Sequence, residues 1–273
     1  MNVLSLFDGM SCGQIALEKA NVKVDNYFSS EIDKYAIQIT QKNYPKTIQL
    51  GDVTKIKGTD LPKIDLLIGG SPCQSFSSIG KGGGFNGKSG LFYEYVRLLQ
   101  ETKPKYFLLE NVKMKKEYQN IISNELGVEP IEINSSLVSA QNRIRLYWSN
   151  IIIEKLNDKN IYLDSILQNI NIPDVSDYSV NKYAFLNTKY VDPYNKKEIK
   201  TNKSTTLRLN SSNGNMWIKV SDKQYRRLTP IECERLQNVP DNYTEGVSNT
   251  QRYKMLGNGW TVDVISHIFN NII

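Results

Sequence analysis

Cysteine and histidine are scarce in this chain of 273 residues, which has three cysteines, Cys12, Cys73 and Cys233, and one histidine, His267. Three widely spaced cysteines make neither a disulfide framework nor a metal site. One histidine leaves a zinc cluster or a Ser-His-Asp triad hard to build. No apolar run approaches the roughly 20 residues of a membrane span, and the start Met1-Asn2-Val3-Leu4 lacks the charged-then-apolar form of a signal peptide. A reducing cytoplasm is the expected compartment. Neither sign of charge dominates: 34 Lys+Arg against 28 Asp+Glu leave +6. Such a moderately basic surface permits a polyanionic partner such as nucleic acid without requiring one. At this length the chain can bury a proper core, as one large domain or one domain with a smaller companion.

What the chain does have is a series of short aliphatic strands that run out into glycine, acid or cysteine. Ile64-Asp65-Leu66-Leu67-Ile68 reads as a buried parallel strand stopped by Gly69-Gly70, and Ser71-Pro72-Cys73-Gln74 follows. Ligands of open α/β sheets sit outside the carboxyl ends of the strands, so this strand delivers Cys73 to a site, where its thiolate is a nucleophile. The bland alternative is a small apolar filler of a strand-end gap. Upstream, Val3-Leu4-Ser5-Leu6-Phe7 is a first strand, running into Asp8-Gly9-Met10-Ser11-Cys12-Gly13 and a helix through Ile15, Leu17 and Ala20. Strand, glycine turn, helix is the opening of a nucleotide-type βαβ unit. A second strand, about Val24 to Ser29, ends at Glu31, placed to take a ribose hydroxyl. A third, Ile48-Gln49-Leu50, brings Asp52 to the same edge. Both acids could be helix caps; two of them in register with a glycine turn favour an adenosine-bearing cofactor.

The stretch Ser75 to Gly90 is rich in glycine and carries Lys81 and Lys88, which suits a lid closing on a phosphate backbone better than a linker. A helix from Leu91 to Thr102 and a strand Tyr106-Phe107-Leu108-Leu109 follow, and Glu110-Asn111-Val112 brings a carboxylate to the edge that carries Cys73. Lys113 to Leu126 reads as a helix and Ile131 to Ile133 as a strand. In the extended segment Gln141 to Trp148, alternation puts Gln141, Arg143 and Arg145 on one side. Three donors on one face suit an anionic or carbonyl-rich ligand, with an exposed basic edge strand as the alternative. From about Leu163 to Val220 the chain is polar and without period. Yet Tyr178, Tyr183, Phe185, Tyr190, Tyr194 and Trp217 are too many aromatics for a solvated linker, so a compact recognition lobe is expected.

The ordered set Phe7-Asp8-Gly9, Glu31, Asp52, Ser71-Pro72-Cys73-Gln74, Glu110-Asn111-Val112 and Gln141-x-Arg143-x-Arg145 resembles the motifs of cytosine carbon-5 DNA methyltransferases. Arg227-Leu228-Thr229-Pro230-Ile231-Glu232-Cys233-Glu234-Arg235-Leu236-Gln237 and Gly257-Asn258-Gly259-Trp260-Thr261-Val262 extend the likeness over nearly the whole chain, except about Leu163 to Lys203. Phe7-Asp8-Gly9 and the Trp260 form of the last motif look like the de novo branch, and the complete Gln-x-Arg-x-Arg like bacterial and phage members. The family usually has serine where Gly259 stands, which bears on the cofactor contacts nearby.

The resemblance implies a doubly wound, mostly parallel, Rossmann-like S-adenosylmethionine-dependent sheet with a small inserted recognition domain, and DNA in the cleft between them. The catalytic, cofactor-binding part is expected over 1–162 and 250–273, and the recognition domain with its hinge over 163–249. It implies Cys73 as the thiolate that adds to carbon 6 of a flipped-out cytosine, Glu110 as the group at ring nitrogen 3, and Arg143 and Arg145 as holders of the base carbonyl and nearby backbone. Phe7, Asp8, Gly9, Gly13, Glu31, Ile32, Asp52, Val53, Pro72, Asn258 and Trp260 are the expected contacts to S-adenosyl-L-methionine. Gln74, Ser75, Ser77, Lys81, Lys88, Gln141, Thr205, Thr206, Arg208, Arg226 and Arg227 are the expected contacts to double-stranded DNA, Ser204-Thr205-Thr206-Leu207-Arg208 resembling the family's recognition element. A single copy is expected, in a bacterial cell or encoded by a phage, with a cognate restriction endonuclease as a compatible partner. A tRNA cytosine methyltransferase fits less well because its Cys-Phe-Thr signature is absent. Intact Cys73, Glu110 and Arg143 argue against a DNA-binding protein on a dead scaffold. A dinucleotide oxidoreductase leaves Cys73 and Glu110 unexplained.

Overall fold

The computed structural model of the chain describes residues 1–72, 88–169, 178–180, 189–192, 197–207, 217–221 and 224–272. Packing divides it into two units, Met1–Asn134 with Ile144–Leu156 and Val262–Ile273, and Ser135–Arg143 with Asn157–Thr261. Segments 135–143, 157–162 and 250–261, expected in the catalytic part, pack with the second unit.

The first unit is built on β1 (Asn2–Leu6), α1 (Cys12–Lys19), β2 (Asn26–Ser30), α2 (Lys34–Asn43), β3 (Ile48–Gln49), β4 (Leu66–Gly69), α3 (Phe92–Thr102), β5 (Tyr106–Val112), α4 (Lys116–Leu126), β6 (Ile131–Asn134) and β7 (Ile144–Ser149). The strands form one seven-stranded sheet in the order β3-β2-β1-β4-β5-β7-β6. From β3 to β5 all pairings are parallel, while β7 runs antiparallel to both β5 and β6. The expected doubly wound, mostly parallel sheet is thus present. Parallel pairing needs both faces covered, which is why β4 is Leu66-Leu67-Ile68 without alternation, each residue wholly buried. Leu4, Leu6, Leu67 and Leu109 pack with Phe92, Tyr95 and Leu98 of α3 and Ile122 of α4 in one core. The chain winds outward from β1 to β3, then returns to lay β4 on the other side of β1. Ligands of such sheets sit at this reversal, outside the carboxyl ends of β1 and β4.

Local chemistry ends the helices where the sequence changes character. Asp33 caps α2, accepting from the Tyr35 N–H at 2.9 Å, and α4 stops at Gly127 in the left-handed region with φ 71°. The strand expected to end at Leu109 continues to Val112, so Glu110 lies inside β5, opposite Tyr147 of β7, rather than beyond a strand end. Antiparallel pairing with β7 extends the ladder through it.

The second unit carries α5 (Leu163–Ile166), β8 (Tyr178–Val180), β9 (Tyr190–Asp192), β10 (Lys197–Glu198), β11 (Trp217–Ser221), β12 (Gln224–Arg227), α6 (Pro230–Leu236) and α7 (Asn249–Asn258). Its five strands pair antiparallel in the order β10-β9-β11-β12-β8. Val191, Trp217 and Tyr225 form their core, which accounts for part of the aromatic content that argues against a linker. Tyr183, Phe185 and Tyr194 lie outside the described residues. The last helix, α8 (Val262–Phe269), belongs to the first unit and packs along α1, where Lys19 pairs with Asp263 at 2.8 Å. His267 donates from Nε2 to the Glu154 carbonyl, 2.9 Å away, a surface role. No helix among the described residues is long and apolar enough to cross a membrane.

Gly69, the last residue of β4, shows how tightly the site's scaffold is packed. A β-carbon there would lie 3.0 Å from Tyr95 Cδ2 and 3.1 Å from the Leu6 carbonyl oxygen. Tyr95 is wholly buried and Leu6 is backbone in a central strand, so neither can give way freely. Gly69→Ala is expected to destabilise the protein by about 1–3 kcal/mol, read as a lowered urea midpoint at unchanged slope; an unchanged midpoint would mean that the strand can shift.

Candidate active site

The turn after β1 is folded against the usual preference of its residues. Phe7, Gly9 and Ser11 have φ of 58°, 59° and 61°. Glycine adopts this region freely, whereas for Phe7 and Ser11 a sparsely populated conformation costs roughly 1–3 kcal/mol each. Two carboxylates hold the turn. Glu31, just past β2, takes the Gly9 N–H on Oε2 at 2.8 Å and the Ile32 and Asp33 N–H groups on Oε1, each at 2.8 Å. Asp8 takes hydroxyl hydrogen bonds from Ser5 (2.6 Å), Tyr27 (2.7 Å), Ser29 (2.9 Å) and Ser11. Burial pushes the Asp8 carboxyl above its ordinary range, against the four hydroxyls, which pull it down.

Around this turn stand groups with open chemistry. An ionised carboxylate has about four acceptor directions. Three N–H groups on Glu31 leave one of them, on Oε2, for a further donor such as a ribose hydroxyl. Asp52 caps a short 3-10 turn, Val53–Lys55, accepting the Thr54 N–H at 3.0 Å and hydroxyl at 2.9 Å on Oδ1. Those bonds, the N–H first, hold its carboxyl below the ordinary range, and among the described residues Oδ2 takes no hydrogen bond. Ile32 is 77 % exposed, a large apolar side chain beside the two acids. A donor-rich sugar and a flat apolar ring system fit this set. Gly13 is buried in the first turn of α1, and Val53 is buried next to Asp52 in sequence.

Two residues that the sequence reading left without a role position these groups. Arg97 of α3 donates to the Val53 carbonyl at 3.2 Å while Glu94 and Glu101 clamp its guanidinium at 2.7 and 2.8 Å, so α3 holds the loop that carries Asp52. The Glu at i−3 and the Glu at i+4 were the available signal. Asn111 of β5 reaches the segment just after β4 and donates to Ser71 Oγ at 3.1 Å. That anchors Ser71-Pro72, the approach to Cys73. Cys73, Gln74, Ser75, Ser77 and Lys81, with the glycine-rich stretch as far as residue 87, lie outside the described residues. Lys88 opens a 3-10 turn, Lys88–Leu91.

Next to Asn111, Glu110 points its Oε1 at Arg145 Nε of β7, 2.9 Å away, with both side chains nearly buried, 11 % and 13 % exposed. Arg145 also donates to its neighbour's carbonyl, that of Ile144, at 2.8 Å. A charge pair this dry stands because each partner supplies the other's counter-charge.

Gln141 and Arg143 alternate with Arg145 in sequence, but both are buried against protein groups of their own unit. The strand starts at Ile144, and Gln141 and Arg143 belong to the second unit. Gln141 is wholly buried, donates to the Leu236 carbonyl at 3.2 Å and accepts the Leu207 N–H at 2.9 Å. Arg143, 3 % exposed, donates to the carbonyls of Gly259 (2.9 Å), Gly257 (3.2 Å) and Leu207 (3.5 Å). Gln237 adds donations to Leu256 O at 2.6 Å and Gly259 O at 3.3 Å and accepts from Thr261 at 3.0 Å. These amides and the guanidinium fix the backbone on both sides of Asn258, the last residue of α7, with Trp260 in the same turn. Buried carbonyls need donors, and long side chains supply them where no strand does.

The expected DNA contacts of this unit divide in the same way. Arg226 is 5 % exposed and forms a two-pronged pair with Glu232, at 2.7 and 2.8 Å, so it is bound into the protein. Glu232 is wholly buried and closes a capping box with Thr229 at the start of α6, which is why it demands a counter-charge. Arg227 stacks its guanidinium over the Trp217 ring, 5.4 Å from the centroid. Thr206 donates to the Asn142 carbonyl at 2.7 Å, and Thr205 is half-buried. Arg208 lies outside the described residues.

A doubly wound sheet whose glycine turn and two strand-end acids suit an adenosine-bearing ligand is the architecture of S-adenosylmethionine-dependent methyltransferases. The chain belongs to the C-5 cytosine-specific DNA methylase family, whose sequence model matches residues 1–142 and 131–273. It is 32 % identical over 304 residues to the type II methyltransferase M.SsoII of Shigella sonnei, covering 99 % of this chain and 79 % of that protein. With the type II methyltransferase M1.ScrFI of Lactococcus lactis subsp. cremoris it shares 30 % over 303 residues, 99 % of this chain and 77 % of the relative. The crystal structure of the S. pombe Dnmt2 methyltransferase superposes with a TM-score of 0.76 at 20 % identity, over 99 % of this chain and 97 % of that one, a likeness of fold. The protein is a DNA cytosine-5 methyltransferase, and S-adenosylmethionine is its methyl donor.

The Glu110–Arg145 pair yields a test that does not depend on activity. Arg145→Leu leaves a nearly buried carboxylate without its counter-charge, and a loss of about 3 kcal/mol is expected at neutral pH. If the broken ion pair is the cause, removing the charge of Glu110 as well should return much of the loss, so Glu110→Gln with Arg145→Leu is expected to be more stable than Arg145→Leu alone. Urea unfolding of the parent, the single variants and the double variant measures this; an equal loss with and without Glu110→Gln would mean that Arg145 acts by packing instead.

Proposed function

We propose that the protein methylates carbon 5 of a cytosine flipped out of double-stranded DNA, within a short specific sequence, through a covalent adduct with Cys73. Carbon 5 of cytosine is a poor nucleophile, so a group must first add at carbon 6. Cys73 as thiolate forms that sulfur–carbon bond, which turns the ring into an enamine and pushes negative charge towards nitrogen 3. Glu110, held by Arg145, takes the proton that the Cys73 thiol gives up and delivers it at nitrogen 3, which relieves the charge. S-adenosylmethionine supplies the methyl group when bound. Water takes the carbon-5 proton, which re-forms the double bond and expels Cys73 as thiolate, and the nitrogen-3 proton returns to Glu110. A thiol has an ordinary pKa of about 8.5, so its ionisation is coupled to binding or to the proton delivered by Glu110. None of this chemistry can reach a stacked base, hence the flipping.

The observation that carries this reading is the Arg145–Glu110 pair at 2.9 Å, beside the Asn111–Ser71 bond that anchors the approach to Cys73. Glu31, Asp52 and Ile32 are read as contacts to ribose, adenine amino group and adenine face, with Phe7, Gly9, Val53 and Pro72 as wall. Arg145 is read as the arginine that serves Glu110 and the base. Arg143, Gln141 and Gln237 are read as holders of the Asn258 turn, and Arg226 as a brace for Glu232. The catalytic part is read as 1–162 with 250–273, and 163–249 as the part that reads flanking bases, Arg208 among them. The protein works as a monomer in the bacterial cytoplasm, beside a cognate endonuclease if it serves restriction and modification, as the type II relatives' names suggest.

DNA carrying 5-fluorocytosine in place of cytosine tests the adduct, because fluorine cannot leave as a proton does. Denaturing gels should show a protein–DNA species that requires both the methyl donor and Cys73. An equal yield from Cys73→Ala would overturn the assignment. Glu110→Gln is expected to slow single-turnover methylation severely, by about two orders of magnitude or more, while leaving donor binding nearly intact.

A further inference from the structure

We propose that Asp8 is a positioning residue whose carboxylate makes no contact with the cofactor: it is a four-point staple that holds the glycine turn in the shape the cofactor needs. The inference rests on the reading of Glu31 and the turn as the cofactor's site, and it differs from the expectation that Asp8 is itself a contact. Oδ1 accepts from Ser5 Oγ at 2.6 Å and Tyr27 Oη at 2.7 Å; Oδ2 accepts from Ser29 Oγ at 2.9 Å and from Ser11 Oγ. An ionised carboxylate offers about four acceptor directions, and four hydroxyls occupy them. No acceptor direction remains for a ligand.

The four donors come from three pieces of chain. Ser5 lies on β1, Tyr27 and Ser29 lie on β2, and Ser11 stands in the turn itself with φ 61°. In the β1–β2 register Ser5 sits opposite Ser29, so the pairing of the strands places two of the hydroxyls together. Ser11 also accepts from Gln14 at 3.2 Å, and Gln14 donates to Thr47 at 2.8 Å, which extends the hold to the approach to β3. The staple grips the turn through Asp8 and Ser11, and Glu31 Oε2 grips it through Gly9. With the Asp8 carboxylate gone, the side-chain hold on the turn falls to Glu31 and to Thr40, whose hydroxyl donates to the Gly9 carbonyl at 3.4 Å, and Glu31 also has the ribose to bind.

The test compares Asp8→Ala, Asp8→Asn and, as reference, Glu31→Ala in the full chain. Titration calorimetry gives the affinity for S-adenosylmethionine, and tritiated methyl incorporation into mixed genomic DNA gives turnover at saturating donor. Asp8→Ala is expected to weaken donor binding about ten-fold, with turnover at saturation within about two-fold of the parent. Asp8→Asn should recover much of the affinity, since its oxygen still accepts and two hydroxyls can turn to accept from its amide. A residue that merely stabilises the fold would change the active fraction and the melting temperature, not the intrinsic affinity. Unchanged affinity in Asp8→Ala with weakened binding in Glu31→Ala overturns the staple alone. Unchanged affinity in both overturns the cofactor site as well. If Asp8→Ala does not fold, Ser29→Ala and Ser5→Ala each remove one point of the staple and should weaken binding about two- to five-fold; parental affinity in both contradicts the proposal.

Discussion

The hydrogen bond from the Gly9 N–H to Glu31 Oε2, 2.8 Å long, joins the end of β1 to the end of β2 at the sheet's point of reversal. Everything that reads as site in the first unit is arranged around it. A parallel sheet needs crossover helices, and the helices leave its carboxyl edge open at the reversal. The backbone there must turn sharply enough to expose N–H groups and still remain in place. Phe7 and Ser11 in left-handed conformation store the resulting strain, and the two carboxylates offset it. The unusual backbone and the unusual density of buried hydroxyls are thus one feature.

The acids of the first unit sort themselves by how much of their hydrogen-bonding capacity the protein uses. Asp8 is filled by four hydroxyls and serves the scaffold. Glu31 takes three backbone N–H groups and keeps one direction. Asp52 takes both its bonds on one oxygen, from Thr54. Glu110 pairs with Arg145 at 2.9 Å in a nearly dry setting, a charge held by a charge. Buried carboxylates that look alike in sequence therefore differ in kind, and counting donors distinguishes them.

Most of the fold was legible, because short aliphatic runs punctuated by glycine and acid leave few alternatives to a parallel sheet. Glu31 and Asp52 were legible for the same reason: a strand end is a local signal. Three other features were not. Asp8 depends on Ser29 and Tyr27, which only the β1–β2 register brings near. Gln141 and Arg143 do alternate with Arg145, but alternation cannot say whether a side faces ligand or protein. Here carbonyls from 95 to 116 residues away decide it. Arg226 was read as a DNA contact although Thr229-x-x-Glu232, a capping box three residues on, announces a buried acid in need of a partner. The resemblance to cytosine methyltransferases named the motifs; the geometry separates those that face a ligand from those that hold the fold.

Bisulfite sequencing of DNA from cells expressing the chain tests the central claim most directly. Methylated cytosines resist conversion, so the account predicts protected cytosines at a fixed position within one short recurring sequence, and their loss when Cys73→Ala is expressed at the same level. DNA without protected cytosines, or the same protection from Cys73→Ala, would contradict it.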